Sequence, residues 1–282
     1  MGLIFGFGLA SIIEYLDDTI KTPTDVDQYL KTPILGTIPF LKHTAFPLMT
    51  QLSRHSALAE SVRTLRSNLK FAILDEPIKT LLVTSASPAE GKTMIVANLG
   101  IGMAQAGRRV IIVDADLRHP SLHKIFGIDN SIGLTNVLVG EVDVDAVLRP
   151  AEVDGLTLLP SGPIPPNPAE LLDSQPMKKL VEMLDSKADF IIFDSPPTLA
   201  VTDAQVLASN LDSVLLLLAA GEVRKDAAIG ANQLLANARA KLMGVVLNKI
   251  HITREGYYYY YYHYYGEGKK HKSHASRHQN TE

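Results

Sequence analysis

The segment Leu81-Leu-Val-Thr-Ser-Ala-Ser-Pro-Ala-Glu-Gly-Lys-Thr93 joins an apolar run to a loop that ends in Gly-Lys-Thr, and a predicted helix, Met94–Gln105, follows it. Strand, loop, Gly-Lys-Thr and helix in this order form the pattern of a phosphate-binding loop. Backbone N–H groups of such a loop point at the β-phosphate, the lysine reaches the β- and γ-phosphates, and the next hydroxyl binds Mg²⁺. The segment therefore predicts a nucleotide site, with Thr93 as a metal ligand, formed by Ala89, Glu90, Gly91, Lys92, Thr93 and Met94.

Short apolar runs alternate with helical segments along the chain, and the runs cover residues 80–85, 110–113, 156–159, 190–193, 214–218 and 245–247. Near-continuous Val/Ile/Leu runs separated by helices indicate a buried parallel sheet. We therefore expect an α/β fold of the P-loop NTPase type, an open and mostly parallel sheet with helices on both faces. Upstream, residues 14–40 indicate a short helix, a turn at residues 22–25, a second helix and a strand at residues 34–39, and a longer helix begins at Leu58.

Carboxylates follow two of these apolar runs. Val110-Ile-Ile-Val-Asp114-Ala-Asp116-Leu-Arg118 places two aspartates at the end of one predicted strand, and Phe190-Ile-Ile-Phe-Asp194-Ser-Pro-Pro197 places one at the end of another. Ligands of open α/β sheets bind at the carboxyl ends of the strands. We therefore expect both motifs to meet the phosphate loop at one edge, where carboxylates can hold Mg²⁺ directly or through water.

Three residues near this edge have two interpretations each. Arg118 could clamp a phosphate or pair with an acidic side chain. Asp203 could belong to the site or cap the next helix, and capping is favoured. Asn248, at the end of the last predicted strand, is a candidate adenine contact or a turn residue.

Composition narrows the possible functions. The chain has 282 residues, no cysteine and a formal net charge of −3. The lack of cysteine excludes disulfides and Cys-ligated metals, and the charge gives no support for nucleic-acid binding. The apolar residues 2–13 are too few for a membrane span, which needs about 20. They are either the cytoplasmic end of a membrane helix that starts outside this chain or a buried or partner-binding helix.

A tyrosine cluster lies near the C-terminus. Neither a strand nor a helix can bury so many adjacent rings, and the polar, low-complexity surroundings over residues 253–282 predict disorder. The hydroxyls are therefore candidate phosphoacceptors. Eight of the ten tyrosines form this cluster: Tyr257, Tyr258, Tyr259, Tyr260, Tyr261, Tyr262, Tyr264 and Tyr265.

Together with this tail, the three motifs resemble the bacterial tyrosine kinases of capsule and exopolysaccharide systems, over roughly residues 10–265. The phosphate loop, the Asp-x-Asp motif with its arginine and the apolar-run–Asp-x-x-Pro motif correspond to the Walker A, A′ and B motifs of that family. A further family motif, Glu-x-x-Arg-x-x-Arg, is present as Glu60, Arg63 and Arg66. In the family it builds a ring oligomer; the alternative is an ordinary i, i+3 ion pair on a solvated helix face.

The resemblance implies an ATP- and Mg²⁺-dependent protein-tyrosine kinase that autophosphorylates its tyrosine cluster in trans and regulates polysaccharide synthesis and export. It implies Asp114 as the proton acceptor and Asp116 and Asp194 as Mg²⁺-positioning residues, while Lys92 neutralises developing charge. The expected partners are a homo-oligomeric ring, octameric in the family, a membrane polysaccharide co-polymerase part and a tyrosine phosphatase, with no nucleic acid. The expected location is the cytoplasmic face of the plasma membrane.

We accordingly divide the chain into a membrane-proximal activator segment, 1–40, a kinase domain, 41–252, and a disordered tail, 253–282. Many family members have Pro-Gly-Glu-Gly-Lys in the loop, whereas this chain has Ala89 at the first of these glycines and Ala86 at the usual first glycine of the loop. If φ at Ala89 is positive, the methyl group costs on the order of 1 kcal/mol.

Two rival functions remain open at this point. A partitioning or cell-division-type switch ATPase shares the predicted sheet, but it usually carries a second lysine where this chain has Ser87, and it has no use for a tyrosine cluster. A non-catalytic regulator would keep a degenerate nucleotide site and use the tail as an aromatic interaction segment.

Overall fold

The structure is a computed structural model that describes residues 17–41, 47–53, 56–73 and 78–251. Within these residues the strands are β1 (Ile34–Pro39), β2 (Thr80–Ser85), β3 (Val110–Asp114), β4 (Arg149–Pro150), β5 (Leu156–Leu159), β6 (Phe190–Asp194), β7 (Ser213–Ala219) and β8 (Leu242–Ile250). The helices are α1 (Pro23–Leu30), α2 (Ala57–Ile73), α3 (Lys92–Ala104), α4 (Leu122–Phe126), α5 (Leu134–Leu138), α6 (Val144–Val147), α7 (Pro168–Leu172), α8 (Gln175–Asp185), α9 (Asp203–Ala208) and α10 (Lys225–Asn237), with a 3₁₀ turn at Met49–Gln51. None of the helices that the structure describes is long and apolar enough to cross a bilayer.

The eight strands found in the described residues form one sheet in the order β1-β8-β7-β2-β6-β3-β5-β4. Every neighbouring pair is parallel except β4 and β5. Parallel strands need crossover helices, and these cover both faces. The expected open, mostly parallel α/β sheet is confirmed.

Two apolar layers bury the two faces of the sheet. Successive side chains of a strand point to opposite faces. Ile111 and Val113 of β3 thus pack in the layer with α8 and α10, while Val110 and Ile112 pack in the layer with α2 and α3. Because both faces are apolar, the central strands read as continuous Val/Ile/Leu runs.

The N-terminal part of the described chain packs on the same core. Thr22 caps α1 in a capping box with Asp25, and Pro23 begins the helix. The predicted turn at residues 22–25 is therefore wrong, because these residues form the cap and first turn of α1. The residues before them pair with the turn after β7: the Ile20 N–H donates to Val223 O at 2.8 Å, and the Gly221 N–H donates to Ile20 O at 2.8 Å.

The strand predicted at residues 34–39 is β1, and it pairs with β8 at one side of the sheet. Residues 17–40 of the predicted activator segment thus share the core of the α/β fold. The division at residues 40 and 252 stays a prediction. Residues 1–16 and the tyrosine cluster lie outside the described residues.

Candidate nucleotide and phosphoryl-transfer site

Three adjacent strands bring the predicted motifs together. β2 leads into the phosphate loop and lies beside β6, which in turn lies beside β3. Asp114 and Asp194 end β3 and β6 and are direct partners in the parallel register. The loop and the carboxylates therefore meet at one edge of the sheet, as expected from the strand ends.

The phosphate loop has two residues in the left-handed region, Ala89 with φ of 62° and Gly91 with φ of 93°. Gly91 precedes the first residue of α3, Lys92. A Cβ at Gly91 would lie 2.6 Å from Nδ2 of Asn248, so both the backbone angle and the space require glycine. The helix begins two residues earlier than predicted, which puts Lys92 and Thr93 in its first turn, where free N–H groups attract anions.

The two alanines of the loop differ in their consequences. Ala89 has a positive φ, which is the condition under which its methyl group is expected to be unfavourable. The methyl group therefore costs about 1 kcal/mol. Ala86 is buried and is not among the residues with positive φ. The replacement of glycine therefore strains the backbone at Ala89 and not at Ala86.

Asp114 is fully buried and only half satisfied by hydrogen bonds. Its Oδ2 accepts from the Ser121 and Leu122 N–H groups at 3.1 and 3.0 Å. Its Oδ1 has no hydrogen-bond partner among the described residues. Burial, and then the negative charge of Asp194, raise the pKa of Asp114 well above its usual range. The raised pKa makes the Asp114 carboxylate a stronger base than a solvent-exposed one.

Asp194 is also fully buried, and neither of its oxygens meets a hydrogen-bond donor with good geometry in the part of the chain that the structure describes. Burial raises its pKa to about 7, although the nearby ammonium of Lys92 and hydroxyl of Thr93 act in the opposite direction. A buried carboxylate costs free energy unless it is paired or binds a metal. Asp194 therefore has the properties of a ligand-binding group.

Asp116 and Arg118 lie in the loop after β3. The Asp116 Oδ1 accepts from the His119 N–H at 2.9 Å. Arg118 forms a two-pronged ion pair with Asp203, with both N–O distances at 2.9 Å. Of the two interpretations of Arg118, the structure shows the pair with an acidic side chain. Asp203 is the first residue of α9 rather than its cap, which is Thr202.

The residues at this edge fit Mg²⁺. Mg²⁺ keeps several waters and takes one or two carboxylates together with phosphate oxygens, so a protein cage is not required. Consistently, no group of three or more His, Cys, Asp or Glu side chains in the described residues is arranged to hold a metal ion alone. The unpartnered oxygens of Asp194 and the Thr93 hydroxyl supply the hard oxygen donors.

The side chains of two predicted nucleotide-binding residues bond to other parts of the protein. The Asn248 side chain is buried at the end of β8, and its Nδ2 donates to Glu90 O at 2.7 Å. The Glu90 carboxylate accepts from the Ser87 N–H and, at 2.8 Å, from the Ala219 N–H. An adenine contact by Asn248 stays a prediction, and in this geometry its amide supports the loop.

One further residue belongs to the site and was not predicted. The Ser121 hydroxyl donates to Thr93 Oγ1 at 3.1 Å, while the Ser121 backbone donates to Asp114. Ser121 thus connects the loop after β3 to the candidate metal ligand. Its position in the sequence carries no signal, because a serine after His119-Pro has no special spacing relative to Lys92.

The Glu-x-x-Arg-x-x-Arg motif lies on α2, away from the three strand ends. Arg63 pairs with Glu60 at 2.8 Å, on an exposed surface. Arg66 donates from Nη1 to Gly102 O at 2.7 Å, in the last turn of α3. The pair and the arginine thus have partners within the chain, and the oligomer role stays a prediction.

A cavity of about 290 Å³ lies at the opposite edge of the sheet, where β3 and β5 begin. Arg109, Asp154 and Lys187 contribute to its lining. It contains none of the predicted site residues. The edge formed by the three strand ends, rather than this cavity, carries the titratable groups that match phosphate chemistry.

Comparison with known proteins agrees with this geometry. A family model described as AAA domain matches residues 78–242. The chain is 41% identical over 203 residues to the tyrosine-protein kinase YwqD of Bacillus subtilis (strain 168), and the aligned region covers 71% of this chain and 86% of that protein. It is 38% identical over 218 residues to the putative tyrosine-protein kinase CapB of Staphylococcus aureus, and the aligned region covers 77% of this chain and 96% of that protein.

Solved structures give the same result. The crystal structure of the chimerical protein CapA2B2 has a TM-score of 0.77 at 36% identity and covers 82% of this chain and 100% of its own. The septum site-determining protein MinD with Mg-ADP, from Pyrococcus horikoshii OT3, has a TM-score of 0.53 at 23% identity over 63% of this chain and 74% of its own. The second likeness shows a common P-loop NTPase-like fold.

Proposed function

Because the chain belongs to the AAA-domain family and, within it, to the bacterial tyrosine-protein kinases, we propose that it transfers the γ-phosphoryl group of ATP to tyrosines of its own C-terminal cluster. The family was identified correctly from the sequence motifs. Membership decides against the switch ATPase and the non-catalytic regulator as the class of this protein. The acceptor, the geometry of transfer and the residue roles are our proposal.

The observation that carries the proposal is the group of unsatisfied carboxylate oxygens beside the phosphate loop. Asp114 and Asp194 are buried next to each other, and three of their four oxygens have no hydrogen-bond partner among the described residues. Burying these oxygens without partners costs free energy, and the binding of a cation or a proton offsets that cost. A Mg-nucleotide and an acidic hydroxyl supply both.

In the proposed complex, the N–H groups of residues 89–93 bind the β-phosphate, and Lys92 neutralises the charge that develops on the β–γ bridging oxygen. Thr93, Asp116 and Asp194 would hold Mg²⁺, which would polarise the γ-phosphoryl group and screen its charge. Ser121, through its bond to the Thr93 hydroxyl, would keep that ligand oriented.

The transfer step is an in-line displacement. A tyrosine hydroxyl oxygen forms a bond to the γ-phosphorus, the bond between that phosphorus and the β–γ bridging oxygen breaks, and ADP leaves. The hydroxyl proton passes to the carboxylate of Asp114. The raised pKa of Asp114 supports this role, because a free tyrosine, with a pKa of about 10, gives up its proton more readily to a stronger base.

The tyrosine cluster makes a neighbouring subunit the natural source of the acceptor, and we propose transfer in trans within a homo-oligomeric ring. Each phosphate adds about −1.5 to −2 charges at pH 7. A phosphorylated tail is repelled by the acidic edge, which loosens the ring. By this route the kinase would regulate capsule or exopolysaccharide synthesis at the cytoplasmic face of the membrane, together with a membrane co-polymerase part and a phosphatase.

The test is mass spectrometry of the tail after incubation with Mg-ATP. We expect several phosphates between Tyr257 and Tyr265 in the natural chain, and at least about 100-fold less in Lys92→Met. Lys178→Met is the matched control, because Lys178 is exposed on α8, far from the loop in the sequence, and should leave phosphorylation unchanged.

A mixing experiment separates transfer in trans from transfer in cis. Isotope-labelled Lys92→Met is incubated with the unlabelled natural chain and Mg-ATP. Phosphate on the labelled tail supports transfer between subunits. If Lys92→Met and the natural chain, each incubated alone, are phosphorylated equally on the tail, the proposed kinase site is contradicted.

A further inference from the structure

The Glu90 side chain turns away from the phosphate-binding side of its own loop. Glu90 is 2% exposed, although it lies between two loop residues that are open to solvent or half-buried. One carboxylate oxygen accepts from the Ser87 N–H and the other accepts from the Ala219 N–H at 2.8 Å. The carboxylate therefore bridges the start of the phosphate loop to the end of β7.

The loop is supported from the same side by the end of β8. Asn248 donates to the carbonyl oxygen of Glu90 at 2.7 Å, and the Lys249 ammonium donates to the carbonyl oxygen of Ala89 at 3.0 Å. Two consecutive loop residues, Ala89 and Glu90, thus rest on the ends of β7 and β8. Of these contacts, the Glu90 carboxylate alone offers two charge-assisted bonds in a buried setting.

The loop needs such support because its shape is strained. Ala89 and Gly91 both have positive φ and lie on either side of Glu90. A left-handed alanine is costly and persists where its surroundings over-determine it. Loops that include left-handed residues can turn successive N–H groups to one side and so form an anion-binding concavity. Whatever holds residues 87–91 in this shape also prepares the site for phosphate.

We propose that Glu90 is a positioning residue of the nucleotide site: its carboxylate ties Ser87 to Ala219 from beneath and so fixes the loop in its phosphate-receiving shape without touching the nucleotide. The inference rests on the nucleotide site of the proposed function and adds to it the residue that holds the phosphate loop in place. It also explains a glutamate one residue before the Gly-Lys-Thr sequence, where a negative charge next to phosphates is otherwise unfavourable.

The chemistry calls for a carboxylate and not an amide. Two N–H donors approach two different oxygens, and glutamine offers one acceptor and one donor, so one N–H would face an NH₂ group. Aspartate keeps the charge but is one methylene shorter. Burial raises the pKa of Glu90 to about 7, although the N–H groups of Ser87 and Ala219, and then the charges of Lys92 and Lys249, favour the ionised form.

The experiment measures binding of Mg-ADP to the full chain by calorimetry, at pH 8, for Glu90→Gln, Glu90→Asp and the natural protein. We expect Kd to rise about tenfold in both variants, the effect of one lost charge-assisted hydrogen bond. Charge alone predicts the reverse for Glu90→Gln, because that change removes a negative charge near the phosphates. A Kd for Glu90→Gln equal to or below that of the natural chain would overturn the proposal.

Two controls complete the design. Glu222→Gln removes an exposed negative charge close to the same loop, where Glu222 pairs with Lys249, and it should leave Kd within about twofold. The unfolding midpoint without nucleotide separates loop shape from fold: a purely structural role lowers the midpoint and leaves Kd of the folded protein unchanged, which contradicts positioning. If the natural chain itself fails to bind Mg-ADP, both this inference and the proposed function fall.

Discussion

The edge formed by β2, β3 and β6 and the exposed face of α2 both carry family motifs, but their charges are satisfied in opposite ways. At the edge, Asp114 and Asp194 are buried and keep oxygens that accept no hydrogen bond of good geometry from the described residues. On α2, Glu60 and Arg63 pair with each other in solvent, and Arg66 donates to a backbone carbonyl of the same chain.

The two regions therefore differ in what their charges indicate about function. A buried, unpaired carboxylate costs free energy, so it indicates a site that binds a cation or a proton. An exposed, paired charge costs little and is compatible with either a partner or none. The edge therefore supports a proposal for its ligand, while the α2 motif supports an oligomer interface only through family membership.

The largest expected effect comes from Asp194→Asn. If Asp194 binds Mg²⁺, tail phosphorylation by the variant should be at least about 100-fold lower than by the natural chain. The same change removes a buried charge, so the free energy of unfolding without Mg²⁺ should rise by roughly 2 kcal/mol at pH 8, where the carboxylate is ionised. Denaturant unfolding and phosphate incorporation measure the two effects.

The sign of the stability change follows from the raised pKa. Because the pKa of Asp194 is about 7 in the folded chain against 3.8 for a free side chain, folding loses stability as pH rises through this window, and asparagine avoids the loss. Asp203→Asn is the matched control, since Asp203 is just as buried but is paired with Arg118. It should lower stability, and a gain there would break the contrast between unpaired and paired carboxylates.

The second effect concerns that ion pair. Arg118→Met leaves Asp203 buried without its cation, and we expect a loss of about 2 kcal/mol in the free energy of unfolding, reduced from the full buried-pair figure because the arginine is half-exposed. Adding Asp203→Leu should recover most of the loss. Chemical denaturation of the two single variants and the double variant measures the coupling.

If Arg118 instead clamps a phosphate, the outcome differs in kind. The double variant would then regain stability while its affinity for Mg-ADP stays low. Recovery of both stability and nucleotide affinity would assign Arg118 wholly to the pair with Asp203.

Much of this fold could be predicted from the sequence. β2 lies at residues 80–85 as expected, and β3 and β6 each extend one residue beyond their predicted runs, to Asp114 and Asp194. Strands buried on both faces read as unbroken apolar runs, so their limits are visible in the sequence. The wrong turn at residues 22–25 shows the opposite case, because Thr-Pro-x-Asp suits both a turn and a helix N-terminus.

The site could be predicted as a set of strand ends and less well as a set of contacts. Parallel register alone brings Asp114 beside Asp194. The direction of a side chain is a tertiary outcome: Arg118 meets Asp203, 85 residues away in the sequence, and Glu90 meets Ala219, 129 residues away. No local spacing encodes either pair, so the sequence leaves two interpretations for Arg118 and does not reveal that the Glu90 side chain bonds to the end of β7.

The smallest expected effects lie on α2 and test its side of the comparison. Arg66→Ala should lower the free energy of unfolding by about 1 kcal/mol, because Arg66 supplies a cationic donor to the last turn of α3. Arg63→Ala removes an exposed i, i+3 pair and should change stability by less than about 0.5 kcal/mol. Light scattering measures the assembly state, which the stability measurements do not report. If Arg63→Ala leaves the monomer as stable as before but dissociates an assembly of the natural chain, the exposed pair serves a neighbour, whereas an unchanged assembly leaves it an ordinary surface pair.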